Sequence, residues 1–128
     1  MTRHELRERI FKTVFQLPFY EAFEGELPEV VDEQEISEDD QNYISNKVAE
    51  INNHLPAIDK IITEHSDGWK LARIGKVELA IIRLAIYEIK FDEDVPDKVA
   101  VNEAIELAKK YGDEKAARFI NGVLSGLL

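Results

Sequence analysis

The stretch that decides the fold is Val77-Glu78-Leu79-Ala80-Ile81-Ile82-Arg83-Leu84-Ala85-Ile86-Tyr87-Glu88-Ile89-Lys90-Phe91. Its apolar residues fall on nearly every side of a helical projection, and a run of this length favours a helix over a strand. A helix with so little polar face is central and needs cover on most sides, which the rest of the chain must supply. Arg83 sits in its middle. A charge removed from water is tolerated only when paired and hydrogen-bonded. Glu103 and Glu106 are the first candidate partners, and Arg83, Glu88, Glu103 and Glu106 together read as a structural ion-pair set.

Toward the C-terminus, Val95-Pro96 breaks this helix. Val101, Ala104, Ile105 and Ala108 then give an amphipathic helix that Asn102-Glu103 opens. Lys109, Lys110 and Gly112 close it, with basic residues in the last turn and glycine just beyond. Asp113 suits the N-cap of a final helix whose stripe is Ala116, Phe119, Ile120, Val123 and Leu124. Gly122 inside that helix costs about 1 kcal/mol relative to alanine, which predicts a close approach by another helix backbone.

Toward the N-terminus, Asp67-Gly68 marks a turn, and Ser66-Asp67-Gly68 reads as a waist in the bundle. Pro56 fits the first turn of a helix carrying Ile58, Ile61 and Ile62. Ser37 and Asp40 resemble a capping box opening a helix with Ile44, Val48, Ile51 and Leu55, whose end is weakened by Asn52-Asn53-His54. Residues 24–36 read as a loop. The first helix carries Leu6, Ile10, Thr13, Val14 and Leu17 on one stripe, and Pro18 is expected to end or kink it. Phe11, Phe15, Phe19, Tyr20 and Phe23 form a second, aromatic set around it. There is no alternating strand pattern and no fixed-period repeat. The expectation is an all-α, compact bundle of six or seven helices in a single domain, 1–128, with sub-bundles at 1–66 and 67–128.

Composition agrees with that reading and excludes several functions. A chain of 128 residues, 45% hydrophobic and 33% charged, suits one folded domain. The absence of cysteine removes disulfides, thiolate metal sites and thiol nucleophiles. No apolar stretch approaches a membrane span and no signal-peptide core is present, so the expected compartment is cytoplasmic, with no membrane partner.

The net charge of −10 is unevenly placed. Residues 1–20 hold four basic side chains (Arg3, Arg7, Arg9, Lys12) against Glu5 and Glu8, whereas residues 21–40 hold ten acids and no Lys or Arg. That acidic segment reads as a solvated loop or helix face; the sharper alternative is a patch that repels or mimics nucleic acid.

Catalytic signatures are missing. The glycines are scattered, no serine sits in a nucleophile elbow, and no Glu-x-x-His pair occurs. Glu88, Glu103 and Glu106 leave a carboxylate metal site conceivable, but pairing with Arg73, Arg83 or Lys109 is the simpler reading. No catalytic residue, metal or cofactor is expected, and a binding module is the better class.

The segments Trp69-Lys70-Leu71-Ala72-Arg73-Ile74, Ile81-Ile82-Arg83-Leu84-Ala85-Ile86-Tyr87-Glu88, Val95-Pro96, Val101-Asn102-Glu103-Ala104-Ile105-Glu106-Leu107-Ala108-Lys109 and Phe119-Ile120-Asn121-Gly122-Val123-Leu124 carry a resemblance. In order and spacing they resemble the NusB family of transcription antitermination factors. Residues 3–16 look like that family's first helix, while 18–65 match only in being helical and variable.

The resemblance implies an all-helical protein of two small bundles. It implies pairing with NusE, a small-subunit ribosomal protein, binding of boxA single-stranded RNA in ribosomal RNA leader transcripts, and a place beside RNA polymerase and other Nus factors. No catalytic step is implied. Family members include monomers and homodimers, so the oligomeric state stays open. Carried over residue by residue, the implied RNA-binding set is Arg3, His4, Arg7, Phe15, Lys115, Arg118 and Phe119. His4 replaces a basic residue, Glu5 is acidic where a base is common, Phe15 stands for tyrosine, and Leu79 replaces a basic residue. Arg7 borders the apolar stripe, so its stem is expected to be partly buried while its guanidinium reaches a phosphate.

Three other readings stand beside this one. The first is a protein-only adaptor of the same fold. The second is the RNA-binding domain of an RNA cytosine methyltransferase, disfavoured because the chain has no nucleophilic cysteine and no cofactor-binding region. The third is a helical carboxylate metalloprotein.

Overall fold

A computed structural model describes residues 1–21, 36–66 and 70–128, and the side chains of the first helix as far as Gln16. The described residues form six α-helices and one short 3-10 turn, with no strand among them. The helices are α1 (Arg3–Glu21), α2 (Glu38–Asn53), α3 (Leu55–His65), α4 (Lys76–Phe91), α5 (Asp97–Tyr111) and α6 (Glu114–Ser125), and the 3-10 turn spans Leu71–Arg73. The expected all-α class holds. The expected loop at 24–36 up to its last residue, most of the acidic segment, the aromatic set beyond Phe15 and the turn at Asp67-Gly68 lie outside the described residues or their described side chains.

The chain divides into two compact units, Met1–Asn53 and His54–Leu128. The division therefore falls one helix earlier than the expected 66/67 boundary, and α3 belongs with the later helices. The physical reason lies in the apolar face of α3. Ile58 and Ile62 are fully buried, and α3 packs against α4, α6 and the 3-10 turn.

In the first unit, α1 packs on α2. Leu6, Ile10, Phe11 and Val14 are buried on α1, and Ile44, Val48 and Ile51 on α2. Ser37 caps α2: its Oγ accepts a hydrogen bond from the Asp40 amide at 3.1 Å, as the sequence pattern predicts. Pro18 does not end α1, which runs on to Glu21. The proline removes one rung of the hydrogen-bond ladder, and its neighbours carry the helix for three more residues.

In the second unit, α4 is the central element, flanked by α3, α5 and α6. Ile81, Ile82, Ile86 and Tyr87 are at most 1% exposed, each contributing about 1.5–3 kcal/mol by burial. Three neighbours explain why its sequence is apolar on nearly all sides.

Helix ends in this unit are mostly written in the sequence. Asp113 Oδ1 accepts from the Ala116 amide at 2.7 Å, capping α6. Pro96 occupies the N-cap of α5, so that helix begins at Asp97 and Asn102-Glu103 sits inside it instead of opening it. Gly112 ends α5 with φ −119° and ψ −132°. Its side of the chain is close-packed: a Cβ there would meet the Ala108 carbonyl oxygen at 2.9 Å and Ala116 Cβ at 3.0 Å.

Two expectations about polar fixtures are corrected. Arg83 is held by Asp59 of α3, with Nε to Oδ1 and Nη2 to Oδ2 both at 2.9 Å. Neither Glu103 nor Glu106 takes that place, because α3 brings its own carboxylate onto the Arg83 face of α4. Glu88 is buried at 6% exposure and has contacts of its own. Gly122 is exposed, and a Cβ added to it would meet nothing within 4 Å, so no helix backbone crosses there among the described residues.

Candidate nucleic-acid interface

The expected contact residues divide between the two units: Arg3, His4, Arg7 and Phe15 on α1, and Lys115, Arg118 and Phe119 on α6.

The start of α1 is fixed by Thr2 and Glu5. The Glu5 amide donates to Thr2 Oγ1 at 3.1 Å, while the Thr2 amide and hydroxyl donate to Glu5 Oε1 at 3.3 and 3.0 Å. This is a reciprocal capping box, legible in Thr2-Arg3-His4-Glu5 and missed by the periodicity reading. The amide of Thr2, then its hydroxyl, hold the Glu5 carboxyl below its usual range. Glu5, acidic where the family is commonly basic, therefore serves the helix start.

Arg3 and His4 are exposed in this first turn. The Arg3 guanidinium carbon stands 4.7 Å from the centroid of the Tyr43 ring on α2. Arg7 differs from expectation: at 9% exposure it is buried, together with Arg9 at 9%, so it does not project into solvent from the helix. The cause is the breadth of the covered arc of α1. Phe11 is buried as well as Leu6, Ile10, Thr13 and Val14, so the helix is enclosed well beyond one stripe. Phe15 is half-buried, its ring centroid 6.4 Å from that of Phe11 at an interplanar angle of 37°.

On α6, Lys115 and Phe119 lie four residues apart and so share a face. They line one cleft of about 260 Å³ with Arg73, Ile74, Gly75, Glu78, Asp113 and Ala116. Lys115 is exposed and Phe119 half-buried, which leaves a cation and part of an aromatic face in reach of a ligand. Arg118 is exposed but points round the helix. It lines a separate shallow groove of about 280 Å³ with Ile105, Lys109, Glu114, Ala117 and Asn121.

Sequence reasoning missed Arg73, which it assigned only to ion pairing. The structure places it, exposed, on the rim of the Phe119 cleft at the end of the 3-10 turn. Its signal was the basic residue in Lys70-Leu71-Ala72-Arg73. Glu78 closes another side: it folds over the N-terminus of α4, where a Cβ on Gly75 would collide with Glu78 Oε2. A carboxylate at a helix N-terminus complements its dipole.

Among the described residues no cluster of three or more His, Asp or Glu side chains could hold a metal ion, and no helix is long and apolar enough to cross a membrane. What the cleft offers is an aromatic face, two cations and two carboxylates, a set suited to binding a planar, anionic, hydrogen-bonding ligand such as a nucleotide.

Comparison with known proteins gives a consistent picture. Residues 4–128 match the model of the NusB family. The transcription antitermination protein NusB of Agathobacter rectalis is 45% identical over 128 residues, covering 98% of both chains. That of Lachnoclostridium phytofermentans is 47% identical over 133 residues, covering 100% of this chain and 99% of its own. Among solved structures, NusB of T. maritima superposes with a TM-score of 0.87 at 32% identity, covering 99% of this chain and 90% of that one. A crystal structure of antitermination factors NusB and NusE in complex with dsRNA matches with a TM-score of 0.76 at 32% identity, covering 99% and 97%.

Proposed function

The chain belongs to the NusB family, and from that membership we propose that it is a transcription antitermination factor. In this reading it binds boxA-type RNA of ribosomal RNA leader transcripts together with NusE and joins RNA polymerase and other Nus factors in the cytoplasm. It works by docking, with no catalytic step. The full-length match to antitermination proteins carries this reading.

The chemistry of the surface supports it. Single-stranded RNA is held by stacking of bases on aromatic side chains and by cations along the backbone. Phe119 with Lys115 and Arg73, and Phe15 with Arg3 and His4, supply such groups, and Arg118 adds a cation on the neighbouring groove. Buried Arg7 supports the α1 platform. The basic set is thin on a chain of net charge −10. A basic partner such as a small ribosomal protein supplies the missing cations, and the acidic surface steers that partner while keeping the chain off random RNA.

The test is fluorescence anisotropy with a labelled boxA oligoribonucleotide, with and without NusE. Weak binding alone, strengthened by NusE and lost in Phe119→Ala and Lys115→Ala, is the expected result. The −10 charge and the burial of Arg7 favour one second reading, a protein-only adaptor of the same fold. NusE binding without any boxA affinity, in either condition, would establish that reading instead.

A further inference from the structure

A second aromatic-cation group stands on the first unit, and α2 supplies most of it. Asp40, Tyr43 and Lys47 follow one another at steps of three and four, so they share one face of α2. Asp40 and Tyr43 each meet a positive group, and Lys47 is one. The terminal amine of Met1 pairs with Asp40 Oδ2 at 3.2 Å, and the Arg3 guanidinium carbon lies 4.7 Å from the Tyr43 centroid. The Lys47 ammonium lies 5.5 Å from the same centroid. Two cations thus share one half-buried ring, within the range of cation–π attraction.

The neighbouring carboxylates do not neutralise Arg3. Asp40 is engaged by the terminal amine, and Glu5 by Thr2. Among the described residues, Arg3 has the ring as its partner and no carboxylate. The Arg3 guanidinium, exposed and resting on the ring, keeps its N–H edges for a phosphate.

We propose that Tyr43 and Lys47 of α2 belong to the RNA contact surface: Tyr43 positions the Arg3 guanidinium, and Lys47 binds a phosphate adjacent to the one Arg3 binds. The proposal rests on the reading of this chain as an RNA-binding antitermination factor and extends it to a helix that the family resemblance leaves unassigned. An aromatic ring beside two cations suits the bases and phosphates of a transcript strand, and this is the partner the patch is assigned.

The test measures binding of the full chain with NusE to a labelled boxA oligoribonucleotide across a range of salt concentrations. Each lost phosphate contact on a single strand lowers the log–log salt slope by about 0.7. Arg3→Ala and Lys47→Ala are each expected to lower it by that amount. Tyr43→Leu is expected to behave like Arg3→Ala, whereas Tyr43→Phe, which keeps the ring, retains the wild-type slope. A merely structural role for Tyr43 would not change a salt slope. Unchanged binding in Arg3→Ala would overturn the reading of α1 itself. Loss in Arg3→Ala with wild-type affinity and slope in Lys47→Ala and Tyr43→Leu would overturn the α2 assignment alone. So would variants that weaken capture of NusE and leave its RNA affinity intact. Lys47→Ala changes a lateral surface position and keeps the test decisive if Tyr43→Leu does not fold.

Discussion

Arg83 of α4 and Asp59 of α3 form a bidentate ion pair, Nε to Oδ1 and Nη2 to Oδ2, each at 2.9 Å. The arginine side chain is 12% exposed and the aspartate 23%, so the fork is largely out of water. It ties the second unit's first helix to its central one. Asp59→Ala leaves the guanidinium desolvated without its carboxylate. Breaking a fully buried pair costs about 3–5 kcal/mol, and the partial exposure of Asp59 brings the expected loss to about 2 kcal/mol. Urea unfolding followed by circular dichroism reads it. Replacing both residues with apolar ones of similar volume is expected to recover most of the loss, since it removes the stranded charge. A double variant no better than Asp59→Ala would show that the pair is not what sets the cost.

Arg7 and Arg3 lie one helical turn apart and are expected to fail in opposite ways. Arg7 is 9% exposed and has interactions of its own, so Arg7→Ala removes packing and a satisfied charge. A loss of about 1–3 kcal/mol of stability is expected, with little direct effect on the RNA affinity of the folded protein. Arg3 is exposed, and Arg3→Ala should leave the melting temperature within a degree or two while weakening RNA binding. Thermal melts and anisotropy on the same two variants separate these outcomes. Equal loss of affinity at equal stability would return Arg7 to the contact surface.

That contrast shows where the sequence was legible. The helical periodicities at Ile44-Val48-Ile51 and Ile58-Ile62, the all-round apolarity of α4, and the caps at Ser37 and Asp113 are local patterns, and the structure follows them. Asp59 as the partner of Arg83 is a contact across 24 residues, and spacing along the chain carries no record of it. Arg7 is more deeply buried than a single stripe on α1 predicts, and Phe11, which lies off that stripe, signals the wider buried arc. Arg73 belonged to a recognisable motif, yet only the 3-10 turn brings it to Phe119. Long-range placement, not helix formation, is what the linear pattern withheld.

The Thr2–Glu5 capping box gives a pH prediction. The Glu5 carboxyl is held below its ordinary value of 4.5, first by the Thr2 amide and then by the Thr2 hydroxyl. A carboxyl lowered by folding contributes stability that is present above its unfolded value and lost as the pH falls through its folded one. The start of α1 should therefore loosen only below about pH 4.5. A carbon-detected NMR titration of Glu5 should give a midpoint under that value. Thr2→Val, which keeps the amide and drops the hydroxyl, should move the midpoint part of the way back. A midpoint at or above 4.5 in the wild-type chain would remove the capping box as its cause.

Two glycines ten residues apart should answer alanine substitution with opposite signs. At Gly112 the added methyl would stand 2.9 Å from the Ala108 carbonyl oxygen and 3.0 Å from Ala116 Cβ, and neither is the end of a flexible side chain. The turn between α5 and α6 must shift to admit it, and overpacking of that kind costs about 1–3 kcal/mol. At Gly122 the methyl meets nothing within 4 Å, and the residue lies inside α6. There alanine restores helix propensity and narrows the unfolded ensemble, for a gain of about 1 kcal/mol. Thermal melts of the two single variants should bracket the parent. Because Gly122 is exposed, no packing among the described residues requires it. A destabilised Gly122→Ala would mean that α6 is strained at that turn in a way its open surroundings do not reveal.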